Sequence, residues 1–465
     1  MSATLERSAA GCLLPGFEGT TCPAWLRTWL ERGLGGVVLF ARNIDDEEQL
    51  AALTTELRSA REEVIVAVDE EGGDVTRLEA RTGSSYPGNA ALGSVDDVEL
   101  TAAVGSAIAA DLARAGVNMN LAPVADVRAS DENAIVGVRS FGSDPTLVAR
   151  HVAAFVRGTQ ARGVAACAKH FPGHGETAED SHVGEAVAAA DRALLDARAL
   201  PPFAAAIAAG VKAIMTAHVR VPALDDQPAT LSRPIVAGLL RGELGFDGLV
   251  VSDALEMGAI GDATDAAPRA LAAGVDALCL GADVGPDETE AAQSAIVDAV
   301  RRGSLAEDRV HEAAARLAAA TRWASLEPAP HDRAIGAEAA ARALRVDGAA
   351  VIAGDATVVE LVPDPTIAAG PPGITASDVF GARRIALRRP QPPPDVPASE
   401  PLVVVLRDAH RDAWQQEVAT ALVQRRPDAV VVETGLPLWR PAAPAYVATF
   451  GAGRVNLEVA AMPAS

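Results

Sequence analysis

Cysteine is scarce. The 465 residues contain four (Cys12, Cys22, Cys167 and Cys279), and no two are spaced as C-x-x-C. A disulfide-framed fold is therefore excluded, and Cys167 and Cys279, set in apolar runs, read as small core residues. Basic side chains are also in deficit, with 40 Lys and Arg against 62 Asp and Glu and a net charge of −22. Nucleic acid and anionic membranes select clustered Lys and Arg, so neither is expected as a partner. The sequence has no uninterrupted apolar run of about 18 residues, the length a membrane-spanning helix needs. Ala9-Ala10-Gly11-Cys12 faintly suggests a lipoprotein cleavage site, but no apolar segment precedes it, and the cytoplasm is the expected location.

An apolar fraction of 49% is ample for a large core. Domains of about 100–250 residues make two the natural number for this length. Through the first two-thirds one rhythm repeats: a short β-leaning run, a polar or Gly-containing loop, then an Ala/Leu-rich helical stretch. The runs are Cys12–Leu14, Gly36–Phe40, Val64–Val68, Val117–Leu121, Val164–Ala168, Ala213–Thr216, Leu249–Ser252 and Ala277–Leu280. Strands separated by helices must run parallel, and eight such units close a (β/α)8 TIM-type barrel. The predicted architecture is thus α/β: a barrel over residues 1–325, a linker at 326–333 and a second, smaller α/β domain over 334–465. In the second domain Ala349–Ile352, Thr357–Leu361, Leu402–Leu406, Ala429–Val432 and Ala445–Thr449 read as strands, and proline-rich Arg388–Pro401 as an extended surface loop.

A barrel places its chemistry just past the carboxyl ends of its strands. Those positions carry Arg42-Asn43, Asp69-Glu70-Glu71, Pro123 with Asp126, Lys169-His170, His218, Asp253 and Gly281-Ala282-Asp283. The densest cluster is Lys169-His170-Phe171-Pro172-Gly173-His174-Gly175-Glu176, continuing to Asp180-Ser181-His182. Its proline and glycines prevent a helix, so His170 and His174 do not share a helical face and a zinc site loses geometric support. A glycine-bearing loop able to close over substrate suits a catalytic imidazole better. In an extended loop Asp180 and His182, two positions apart, point the same way, and the carboxylate orients the ring as an acid and base. Asp253, after Val250-Val251-Ser252, could cap a helix, but its place at a strand end favours a catalytic role, with Glu256 a capping or first-turn residue. Asp69 offers an acceptor for sugar hydroxyls, and Arg77, Arg139 and Lys169 offer donors.

Together these segments resemble glycoside hydrolase family 3, and within it the bacterial β-N-acetylglucosaminidases that recycle peptidoglycan. The resemblance spans about Leu13 to Gly281, carried by K-H-F-P-G-H-G…D-S-H, by D-E-E-G-G-x-V-x-R at 69–77 and by S-D-x-L-x-M at 252–257. It implies Asp253 as nucleophile, His182 as acid/base partnered by Asp180, and Asp69, Arg77, Arg139, Lys169 and His170 as sugar-binding residues. It also implies a retaining exo-glycosidase that works through a covalent glycosyl-enzyme on GlcNAc-β-glycosides such as muropeptide fragments. No cofactor or metal is expected. Phosphate is an alternative acceptor to water, which would make the protein a phosphorylase. A metal-dependent barrel hydrolase built on His170, His174 and Asp253, and a non-catalytic sugar-binding barrel, are alternatives of other classes. Two departures stand out: Asp74 occupies a place where many relatives carry Arg, and the part after residue 334 is short for a second domain of this family. No residue of that part, Tyr446 included, has a recognisable catalytic role.

Overall fold

The computed structural model describes residues 3–131, 133, 135–177, 186–257, 260–350, 352, 354–362, 373–381 and 383–462. Asp180 and His182 lie outside the described residues. The chain divides into two compact units, one formed by residues 1–70, 101–133 and 143–331, the other by 71–100, 134–142 and 332–465.

In the first unit eight short parallel strands follow the predicted runs: β1 (Leu13–Pro15), β2 (Gly36–Leu39), β3 (Ile65–Val68), β4 (Met119–Asn120), β5 (Ala165–Phe171), β6 (Ala213–Thr216), β7 (Leu249–Ser252) and β8 (Leu278–Gly281). Neighbours pair in chain order from β2 to β7, and β8 pairs with β1. A parallel bridge from Val251 to Ala277 joins β7 to the start of β8. The Gly35 N–H donates to the Ala10 carbonyl at 3.1 Å and brings the start of β2 against the approach to β1.

Alternate residues of a strand face the same side, and here they fill a barrel interior. Leu14, Val38, Ile65, Ala67, Met119, Leu121, Ala165, Cys167, Ala213, Met215, Leu249, Val251, Ala277 and Cys279 form one buried cluster. The helix α1 (Glu307–Trp323) adds Leu317 and Ala320 to it. Just ahead of β8, Asp276 is fully buried and its carboxylate takes Arg241 at 2.5 Å, Arg316 at 3.3 Å, Arg309 and the Val250 N–H. This is an ionic clasp on the side away from the strand carboxyl ends, where barrels place stability rather than chemistry.

The second unit is built on a six-stranded sheet. Its strands are β9 (Arg345–Asp347), β10 (Thr357–Leu361), β11 (Arg383–Leu387), β12 (Leu402–Leu406), β13 (Val430–Glu433) and β14 (Ala445–Ala448), in the spatial order β9-β14-β13-β12-β10-β11. All pairs are parallel except β9 with β14. Val359, Val404 and Val431 point into one buried cluster, while Val358, Val403 and Val432 point into another, so both faces are covered. That arrangement explains the continuous valine runs.

Two differences from the expected strands have a physical reason. No strand forms among the described residues of Ala349–Ile352; the edge strand is instead Arg345–Asp347, whose residues are exposed. Arg383–Leu387 also pairs at an edge, four of its five residues at least partly exposed. Edge strands carry polar residues that hide them from an apolar-run criterion.

Candidate active site

At the end of β3, Asp69 receives the Lys169 ammonium from β5 at 2.5 Å. Lys169 is only 2% exposed, and a charge so buried needs partners such as that carboxylate. Asn120, the last residue of β4, clamps the next peptide: its Oδ1 accepts the Glu70 N–H at 3.1 Å and its Nδ2 donates to the Glu70 carbonyl at 2.9 Å. Asn120 was not among the expected site residues; its only signal was a buried amide at a strand end.

His170 follows Lys169. Its Nδ1 lies 2.7 Å from Asp126 Oδ2, while Asp126 Oδ1 accepts the backbone N–H groups of His170 at 3.3 Å and of His174 at 2.7 Å. Asp126 is fully buried. Burial alone would raise its pKa, but the charges of His170 and His174 and the hydrogen bonds they give prevail and hold it below the usual carboxylate range. His174 is pulled below the usual histidine range, mainly by burial. Its Nδ1 meets the Thr177 hydroxyl at 2.7 Å, and Asn133 Nδ2 donates to the carbonyls of His174 (3.0 Å) and Thr177 (2.7 Å). As far as Thr177 this loop is buried and pinned, not a free hinge. Its glycines serve close packing, because a Cβ on Gly175 would stand 1.7 Å from the Val127 carbonyl oxygen.

Asp253 stands one residue past β7. Its N–H donates to the Thr216 carbonyl at 3.2 Å, and its Oδ1 accepts the Ala254 N–H at 2.8 Å. Asp69 and Asp253 both act electrostatically on the buried thiols of Cys167 and Cys279, which burial already pushes far up. Both carboxylates directly follow strands, β3 and β7, whose alternate residues belong to the one buried cluster of the barrel interior. Glu256 does structural work, its carboxylate taking the Ala282 N–H at 2.6 Å and the Asp283 N–H at 3.3 Å beyond β8.

The remaining two expected sugar-binding residues, Arg77 and Arg139, group with the second unit. Arg139 forks onto Glu71 with Nη2–Oε1 at 2.7 Å and Nε–Oε2 at 3.0 Å. In the same unit Asp74 takes the Arg407 guanidinium on Oδ2 and the Ala452 N–H on Oδ1 at 2.6 Å.

A ring of parallel strands with acids, a lysine and imidazoles gathered at the strand carboxyl ends is the active face of a β/α-barrel enzyme. Residues 24–320 match the Glycosyl hydrolase family 3 N terminal domain. The chain belongs to glycosyl hydrolase family 3 and is a glycoside hydrolase. It is 36% identical over 332 residues to Beta-hexosaminidase A of Pseudoalteromonas piscicida, covering 64% of this chain but 55% of that protein. The chain therefore spans about half the length of this relative. Identity to a Beta-hexosaminidase of Hydrogenovibrio crunogenus is 38% over 277 residues, 57% of this chain and 77% of the relative. A solved glycoside hydrolase family 3 beta-N-acetylglucosaminidase from Paenibacillus sp. str. FPU-7 superposes with a TM-score of 0.85 at 30% identity, covering 98% of this chain and 95% of that one. Among the described residues no helix is long and apolar enough to cross a membrane.

Proposed function

We propose that the protein is a retaining exo-β-N-acetylglucosaminidase of the β-hexosaminidase kind, releasing terminal GlcNAc from β-glycosides such as peptidoglycan fragments in the cytoplasm. The observation that carries this reading is the Asp253 carboxylate just past β7, its Oδ1 accepting the Ala254 N–H, at the carboxyl-end face of the strands that also bears the Asp69–Lys169 pair. The likeness to the Paenibacillus beta-N-acetylglucosaminidase over nearly the whole chain supports the choice of sugar.

In this reading Asp253 attacks the anomeric carbon and forms a glycosyl-enzyme, while His182, oriented by Asp180, protonates the leaving oxygen. His182 then takes a proton from the incoming acceptor. Asp69 and Lys169 hold sugar hydroxyls as acceptor and donor beside His170, and Arg77 and Arg139 add donors. Retaining enzymes usually pair two carboxyl groups about 5 Å apart. A histidine in the second role is neutral when acting as base and so does not repel an anionic acceptor, which brings phosphate into question beside water.

The deciding experiment compares wild type with Asp253→Ala on an aryl GlcNAc-β-glycoside, with and without phosphate, identifying the product and its anomer. The expected result is GlcNAc with retained configuration, a phosphate-independent rate and loss of about 10⁴-fold or more in Asp253→Ala. A GlcNAc 1-phosphate product would turn the reading to a phosphorylase; full activity in Asp253→Ala would end it. Fractionation of expressing cells tests the cytoplasmic location.

A further inference from the structure

His218 lies two residues past β6 and is 1% exposed. Its Nε2 stands 2.9 Å from the Ala254 carbonyl oxygen. A carbonyl only accepts, so Nε2 carries a hydrogen and donates it. Its Nδ1 stands 2.8 Å from the Thr230 hydroxyl, and that oxygen lies 2.9 Å from the Thr216 hydroxyl. In the neutral ring Nδ1 then accepts from the Thr230 hydroxyl, which also lies 3.0 Å from the Ala217 carbonyl, and Nε2 donates to Ala254.

The same small set of residues holds Asp253 on both sides. Thr216 gives its carbonyl to the Asp253 N–H at 3.2 Å, and His218 holds the carbonyl of Ala254, whose own N–H meets Asp253 Oδ1 at 2.8 Å. The peptide entering Asp253 is thus tied to β6, and the residue leaving it is tied to the imidazole. Without His218 the Ala254 carbonyl would keep only the Met257 N–H, at 3.1 Å, and the neighbouring N–H that meets the Asp253 carboxylate would be less firmly held.

We propose that His218 is a positioning residue for the Asp253 carboxylate, acting through Ala254 rather than by touching substrate. The proposal rests on the reading of Asp253 as nucleophile. Attack requires the reacting atoms to be held about 3–3.5 Å apart, and a shift near 1 Å can cost about 10²-fold in rate.

The test uses the full chain and an activated aryl GlcNAc-β-glycoside, with kcat, KM and Tm measured for His218→Phe, His218→Gln and Thr230→Val. In His218→Phe kcat should fall about 10²-fold, with KM within about twofold of wild type. His218→Gln should recover most of kcat, because its amide Nε2 reaches the same carbonyl. Thr230→Val should fall between the two. An unchanged kcat in folded His218→Phe overturns the proposal, as does a Gln variant no better than Phe. If His218→Phe does not fold, the other two variants decide, and wild-type kcat in Thr230→Val overturns it. Asp253→Ala run alongside separates the two failures. An active Asp253→Ala removes the nucleophile reading, whereas an inactive one beside an undiminished His218→Phe removes only the role of His218.

Discussion

The Lys169 ammonium meets the Asp69 carboxylate at 2.5 Å, although 100 residues separate them. The pair is asymmetric: the lysine side chain is 2% exposed and the aspartate 18%. Removing the aspartate takes a charged partner from a buried ammonium, whereas removing the lysine leaves a carboxylate that water can still reach. Asp69→Ala should therefore cost about 3 kcal/mol or more in stability, and Lys169→Met much less, although both should raise KM. Denaturant unfolding checks the order, and a more damaging Lys169→Met would refute the argument.

His182→Ala should hurt natural or alkyl GlcNAc-β-glycosides far more than activated aryl glycosides, because acid assistance matters most for a basic leaving oxygen. The loss should reach about 10²–10⁴-fold on the poor leaving groups. Equal losses on both substrate types, read from kcat/KM, would take His182 out of the acid role.

The depressed pKa of His174 makes stability depend on pH. The unfolded imidazole binds a proton below about pH 6.5, while the folded one resists until lower pH. In that window the unfolded state holds more protons, so stability is present above it and declines as pH falls through it. Tm should drop from pH 7 toward pH 5, and His174→Asn should flatten this slope by up to about one proton's worth. An unaltered slope in the variant would show that other groups carry the acid sensitivity.

In the second unit Asp74, 8% exposed, joins the Arg407 guanidinium and the Ala452 N–H. Asp74→Ala should destabilise that unit by about 3–5 kcal/mol. The reversed pair, Asp74→Arg with Arg407→Asp, should be less damaging than the sum of its single variants by more than about 0.5 kcal/mol. Strict additivity in calorimetry would show the ion pair to be energetically idle.

The barrel strands were legible because β/α alternation is a local pattern. Each of the eight strands coincides with a short apolar run followed by polar residues. The edge strands Arg345–Asp347 and Arg383–Leu387 were not, because a strand paired on one side and exposed to water carries no apolar signature. Asp126 showed only as one polar residue past β4. Its place beneath His170 and His174 depends on hydrogen bonds spanning 44 and 48 residues.

The sequence by itself determined the α/β alternation, the strand-end positions of Asp69, Lys169, His170 and Asp253, and a family resemblance carried by short contiguous motifs. All of these are encoded within a few neighbouring residues. Only the tertiary structure decided who meets whom: Lys169 with Asp69, His218 with the carbonyl after Asp253, Asp74 with Arg407, and residues 71–100 and 134–142 packing with the carboxyl-terminal residues. Those pairings arise when distant segments are buried together, where a charge or hydrogen-bonding group must find a partner.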